Sequence, residues 1–292
     1  MLQKISEALK EIKQQSMFDL ARRSSIGIGG RAKLALFPKT MGETQRVLSV
    51  LKEGRANYCI VGNMTNVLPP DEPYDKVFVC MKELVGAQVG DTTFVLAGTN
   101  ASRLLKLCRC AKKSGVEFLA GIPCTLGGAL YMNAGVSGRY MSDVVQSVTV
   151  LREGKIHIVP LEECDYSYKH SVFMENKDVI LGAELRLENK SAFDILQTEK
   201  QYLERRTHLP KGRSMGCVFK NPHNASAGSL IEQAGLKGAR ENDAYVAEEH
   251  ANFIINEGGA SERDVRRLIQ TIKERVYDKF SISLEEEIVY LS

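Results

Sequence analysis

The chain holds 292 residues, 43% of them hydrophobic and 26% charged, with a net charge of +3. That length exceeds a typical single core, so two or three domains of roughly 70 to 150 residues are expected. Acidic and basic residues are mixed without a polybasic block, which argues against nucleic acid, and no apolar run reaches the ~20 residues of a membrane span.

Leu2, Ile5, Leu9 and Ile12, interleaved with Lys4, Lys10, Glu11 and Lys13, predict an amphipathic N-terminal helix that lacks the apolar core of a secretory signal. A Ser/Gly-rich turn over 24–30 precedes a strand over 32–37. Thr40-Met41-Gly42-Glu43 has capping-box spacing and opens a helix carrying Val47, Leu48 and Leu51. A short strand over 57–61 runs into the polar loop Gly62-Asn63-Met64-Thr65-Asn66, a suitable ligand position at a strand end.

Strands over 76–81 and 93–96 lead to a helix over 100–114, in which Cys108-Arg109-Cys110 reads as one face of the helix, not a metal or redox site. Seven cysteines without framework spacing fit a reducing, cytoplasmic compartment, and no zinc spacing is present, so no metal is expected. Residues 147–152 and 155–160 flank Glu153-Gly154 as a two-residue hairpin, and 179–187 reads as a further strand. Asn189-Lys190-Ser191 interrupts the apolar pattern and marks a boundary. Beyond it, Ser261 and Asp264 cap a helix with Val265, Leu268, Ile269, Ile272, Val276 and Phe280 on one stripe, followed by a C-terminal strand. The order predicts an α+β body. No strand leads into Gly-x-Gly-x-x-Gly, so it is not a Rossmann unit.

The run Gly121-Ile122-Pro123-Cys124-Thr125-Leu126-Gly127-Gly128-Ala129-Leu130-Tyr131-Met132-Asn133-Ala134-Gly135 combines backbone freedom with almost no charge. Such a stretch lets main-chain N–H groups approach a phosphate or a flat ring where a Cβ would interfere. Three polar constellations accompany it. Tyr168-Lys169-His170-Ser171 offers a cation in a loop, and Cys217-Val218-Phe219-Lys220-Asn221 offers a thiol that can donate a proton at neutral pH. Glu285, Glu286 and Glu287 enter the last strand, where a desolvated carboxyl can be held protonated while its neighbours stay solvated.

Taken together, these segments resemble the UDP-N-acetylenolpyruvoylglucosamine reductase (MurB) family, in its shorter type without an extra tyrosine-bearing loop. Residues 25–30 resemble the family's Thr-x-x-Ile-Gly-Gly, 62–71 its Gly-x-Gly-Ser-Asn-x-Leu-x-x-Asp, and 121–135 its long glycine segment almost residue for residue. Further matches cover 216–222, 227–238, 250–256 and 284–288.

The resemblance implies a two-subdomain FAD-binding module of the vanillyl-alcohol-oxidase/PCMH type over 1–75 and 76–192, then an α+β substrate-binding domain over 193–292. FAD would be held by Gly62, Asn63, Met64, Thr65, Asn66, Leu68, Gly121, Ile122, Pro123, Thr125, Gly127, Gly128, Asn133 and Gly135. The implied reaction, in peptidoglycan precursor synthesis, sends hydride from NADPH through FAD N5 to C3 of the enolpyruvyl ether of UDP-N-acetylglucosamine, and a proton to C2.

The family's Arg, Ser and Glu for this chemistry fall on Lys169, Cys217 and Glu287, with Tyr168, Arg205, Lys220 and Asn221 at the substrate. An ammonium lacks the bidentate fork of a guanidinium, so Arg205, Arg206 or Arg213 is expected to help at the carboxylate. Met64 and Cys124 replace family glycines, and Met64 requires altered backbone angles or a cavity. The alternative is a homologue that binds FAD or a UDP-sugar without turnover. A cytoplasmic monomer is expected.

Overall fold

The computed structural model describes residues 1–74, 76–176 and 178–291, which divide into two units with separate apolar cores. The first comprises Met1–Ser16, Leu34–Asn63 and Lys76–Thr207, and the second Met17–Lys33, Met64–Asp75 and His208–Ser292.

In the first unit, Ala35 and Leu36 pair in parallel with Phe78 and Val79, which pair in turn with Cys59 and Ile60. Val77–Cys80 is buried at every position, as a strand covered on both faces must be. The Met41–Glu53 helix starts on Thr40, whose hydroxyl accepts the Glu43 N–H at 3.0 Å; the Glu43 carboxylate accepts from Lys39 N–H at 2.6 Å, one residue before the capping-box position. An antiparallel sheet follows in the order Lys155–Pro160, Val145–Arg152, Val179–Leu185, Thr93–Leu96, Ala87–Gln88. Its hairpin turns at Glu153 and Gly154 with φ of 52° and 83°, the left-handed pair that a two-residue turn between twisted strands demands. The mixed content is the α+β fold that the sequence predicts.

Several boundaries differ from the sequence reading. The N-terminal helix covers only Leu2–Ala8, and the chain is extended again from Lys13; Leu9 and Ile12 are buried all the same, from a turn instead of a third helical turn. The helix placed over 100–114 ends at Cys110, with Cys108 buried and Cys110 exposed, so the pair does not share a face. Asn189-Lys190-Ser191 interrupts the apolar pattern because Ser191 is the N-cap of an unforeseen helix, Ala192–Glu204. The last strand shrinks to Val289–Tyr290.

The second unit is built on an antiparallel sheet of Arg240–Glu241, Ala244–Val246 and Ile254–Asn256. The Glu262–Phe280 helix carries the full Ser261/Asp264 capping box and buries Val265, Leu268, Ile269, Ile272 and Val276 in this unit's core. Val289 and Tyr290 pair in parallel with Val67 and Leu68, and Asn256 Nδ2 donates to the Ile26 carbonyl at 2.9 Å, so the 17–33 and 64–75 segments are tied in by hydrogen bonds.

Candidate active site

The first unit brings the two glycine-bearing loops together. A Cβ on Gly62 would stand 2.4 Å from Thr125 Oγ1, so only glycine permits this approach. Beside it, the Asn63 amide donates to the Pro123 carbonyl at 2.7 Å. Thr125 is buried and caps the Leu126–Tyr131 helix through the Gly128 N–H.

The backbone of the run is less available than its composition suggests. The N–H groups of Ile122, Cys124, Leu126 and Gly127 bond to the carbonyls of Leu119, Ile122, Thr99 and Ala97 at 3.0, 2.9, 2.8 and 2.8 Å. Those amides hold the shape of the run and do not face a ligand. Gly121, Pro123 and Gly128 are its exposed members, and a Cβ on Gly128 would meet only Thr125 Oγ1, at 3.5 Å. Gly135 is required by packing: a Cβ there would stand 2.3 Å from the Tyr140 ring.

Arg206 lies across the start of the run, its Cδ 3.1 Å from the Cβ position of Gly121, where φ is +78°. The neighbouring Cys124 thiol is pushed up to about 12 by burial, against the pull of Arg206, and is therefore neutral at pH 7. Arg205 instead places its guanidinium 5.6 Å from the Tyr202 ring centroid. An uncharged, glycine-faced surface flanked by one guanidinium fits a flat ring system with a phosphate tail, so the residues present fit FAD.

The end of the run also carries the Tyr168–Lys169 turn. Asn133, buried with φ of +42°, donates from Nδ2 to the Ser167 carbonyl at 2.9 Å and accepts the Ser142 N–H at 3.0 Å. Ser171 Oγ donates to the Tyr131 carbonyl at 2.6 Å. Lys169 itself is left-handed, with φ of +55°.

Met64, Thr65, Asn66 and Leu68 belong to the second unit. Met64 keeps a left-handed backbone, with φ of +54°, and takes the second of the two accommodations: its side chain is buried. Asn66 Nδ2 donates to the Glu287 carbonyl at 3.0 Å, and the Asn66 and Leu68 carbonyls accept from Val289 and Leu291 N–H at 3.0 and 3.1 Å.

Cys217 bridges to Phe253, and the next residue, Val218, accepts the Glu287 N–H at 2.8 Å. Lys220 N–H donates to the Glu285 carbonyl at 2.8 Å, so the thiol- and carboxyl-bearing segments run side by side. The buried Asn252 clamps this ladder, accepting the Phe219 N–H at 2.9 Å and donating to the Phe219 carbonyl at 2.8 Å. Asn252 was not singled out in the sequence, although it lies inside the matched 250–256 stretch. Of the three glutamates, Glu285 pairs with Lys220, while Glu286 pairs with Lys273 and accepts from Tyr290. Asn221, expected at the substrate, uses Oδ1 to accept the Ala227 N–H at 3.0 Å at the start of the Ala227–Gln233 helix.

His250 is structural in setting: its Nδ1 accepts the Asn252 N–H at 3.3 Å, its ring meets Phe253 edge-on, and burial holds its pKa below the usual value. Among the described residues no group of three or more His, Cys, Asp and Glu is arranged to hold a metal, and no helix is long and apolar enough to cross a membrane.

Residues 32–159 match a family described as "FAD binding domain". With the α+β fold and the glycine-faced surface, this defines an FAD-dependent oxidoreductase. Residues 207–291 match the C-terminal domain family of UDP-N-acetylenolpyruvoylglucosamine reductase. The UDP-N-acetylenolpyruvoylglucosamine reductase of Alkaliphilus oremlandii is 37% identical over 277 residues, covering 92% of this chain and 90% of its own. That of Clostridioides difficile is 36% identical, covering 93% and 91%. The crystal structure of the enzyme (MurB) from Thermus caldophilus superposes with a TM-score of 0.82 at 31% identity, over 96% of this chain and 99% of that one. The chain belongs to the UDP-N-acetylenolpyruvoylglucosamine reductase family.

Proposed function

We propose that this protein reduces the enolpyruvyl ether of UDP-N-acetylglucosamine to UDP-N-acetylmuramate with NADPH, as a cytoplasmic, monomeric enzyme of peptidoglycan precursor synthesis. The supporting observation is the hydrogen-bonded ladder in which Cys217 and Glu287 sit on adjacent segments, fixed by Asn66 and Asn252. The division into flavin-binding parts over 1–75 and 76–192 and a substrate part over 193–292 belongs to the same proposal.

FAD, held at the glycine-bearing loops, would supply two-electron hydride-transfer chemistry between NADPH and C3 of the enolpyruvyl group. Hydride arrival at C3 develops negative charge at C2 and into the adjoining carboxylate. Lys169 provides the cation that stabilises this charge, and Glu287 fixes the reacting group through a hydrogen bond. Cys217 then gives its thiol proton to C2 and regains one from solvent. Lys220 and Asn221 contact the substrate phosphate or sugar, with Tyr168 and Arg205 as further substrate-binding residues.

The test is one spectral cycle. Purified protein is expected to be yellow, to bleach with NADPH, and to regain colour on addition of the enolpyruvyl substrate. Cys217→Ala should bleach normally but recolour more slowly, by about 10²-fold or more, as expected for loss of a general acid. Wild-type protein that bleaches but is never reoxidised by that substrate would overturn the reading in favour of binding without turnover. Met64, one motive for that second reading, is accommodated by burial of its side chain.

A further inference from the structure

Lys169 occupies a two-residue turn whose stem is a single antiparallel bridge, Ser167 N–H to His170 O at 3.3 Å and His170 N–H to Ser167 O at 3.2 Å. Such a short turn has little rigidity of its own. Both shoulders are held from the end of the glycine run: Ser167 by the Asn133 amide at 2.9 Å, and Ser171 through its bond to the Tyr131 carbonyl at 2.6 Å. Asn133 and Ser171 are 3% and 0% exposed, so each bond has its donor side chain buried. Asn133 is fixed in turn by the Ser142 N–H on its other amide atom.

We propose that Asn133 and Ser171 are positioning residues that set the location of the Lys169 ammonium relative to the flavin-facing run. The inference rests on the functional reading above, in which Lys169 meets the substrate carboxylate. A guanidinium carries a planar fork that holds a carboxylate by its own geometry, whereas an ammonium is a point charge whose field falls with distance. A lysine in this role depends more on where the backbone places it. Asparagine suits position 133 because its φ is left-handed and both of its amide atoms have a backbone partner.

The decisive variant is Asn133→Asp. It keeps the acceptor for Ser142 but sets a carboxylate oxygen against the Ser167 carbonyl. Asn133→Gly keeps the backbone conformation and removes both bonds, and Ser171→Ala removes only the second shoulder. Affinity for the product UDP-N-acetylmuramate is read from the flavin absorbance shift, alongside KM and kcat for the enolpyruvyl substrate, FAD content and the rate of bleaching by NADPH.

Product affinity is expected to fall about tenfold in Asn133→Asp and Asn133→Gly and roughly threefold in Ser171→Ala, on the scale of a lost buried hydrogen bond. KM should rise in parallel, with the FAD content and bleaching of Ser171→Ala within twofold of wild type. If product affinity and KM stay at wild-type values, or if the FAD content and bleaching of Ser171→Ala fall together with them, the positioning role is overturned. Should Asn133→Asp fail to fold, Ser171→Ala decides by the same criteria. Failure of the functional reading looks different, because wild-type protein itself would then not be reoxidised.

Discussion

At the scale of single residues, two substitutions relative to the family pattern make opposite demands. Met64 stands where a glycine is usual, with a left-handed backbone and a buried side chain. Replacing it with glycine relieves a backbone penalty of about 1–2 kcal/mol but removes buried apolar surface worth about 2–5 kcal/mol. The packing loss is larger, so Met64→Gly should lower the urea midpoint at unchanged slope, and a raised midpoint would show that the backbone strain dominates. Lys169 presents an electrostatic question. Lys169→Met should raise KM for the enolpyruvyl substrate by roughly 10- to 100-fold with normal bleaching by NADPH, whereas Lys169→Arg should match or improve on wild type through bidentate contact. Equal KM in Lys169→Met and wild type would remove Lys169 from the site.

At the scale of elements, local signals in the sequence were reliable where local chemistry decides the structure. Glu153-Gly154 became a left-handed turn, Thr40 and Ser261 became N-caps, and the Val265 to Val276 stripe became a buried helix face. The signal failed where tertiary pairing overrides it: the helical pattern of Leu2, Ile5, Leu9 and Ile12 outruns the helix, which ends at Ala8 before the chain turns extended at Lys13, and the internal bonding of four amides in the glycine run leaves no local pattern. The bond from Asn133 to Ser167 leaves no local pattern, because its partner is distant in sequence.

The same turn carries a pH response. His170 bonds through Nε2 to Glu175 at 3.0 Å and through Nδ1 to the Asp165 carbonyl at 3.1 Å; the Glu175 contact, then the carbonyl, raise its pKa above 6.5, with Lys169 next to it in sequence. A raised folded-state pKa means that the imidazolium contributes its full stabilisation below about 6.5 and loses it as pH rises through the higher folded value. KM for the enolpyruvyl substrate should therefore increase with pH across that window, and Glu175→Gln should flatten the rise. A profile unchanged by Glu175→Gln would separate His170 from the turn.

At the scale of the whole molecule, each unit has an apolar core of its own, and residues 17–33 and 64–75 share theirs with 208–292 through pairings such as Val67 with Val289 and Ser25 Oγ with the Ser214 carbonyl at 2.6 Å. No local sequence feature announces such long-range membership, so chain order is the only guide before the fold is known. A ligand that binds only the folded state stabilises it by about 2.7 kcal/mol at a hundredfold excess over its Kd, which for domains of this size corresponds to roughly 5–10 °C. The FAD-free protein should melt lower by about that amount, and added FAD should restore the difference in a concentration-dependent way. Separate cores also favour unfolding in more than one step, so circular dichroism and flavin fluorescence should report midpoints that differ. Under the proposed function FAD lies at the exposed face of Gly121, Pro123 and Gly128, where a Cβ at 128 would meet only Thr125 Oγ1, at 3.5 Å. Gly128→Val should therefore abolish the FAD-dependent rise while leaving the FAD-free midpoint unchanged or about 1 °C higher, since valine exceeds glycine in helix propensity by ~0.3 kcal/mol. A Gly128→Val protein that still gains stability from FAD would move the cofactor away from this face.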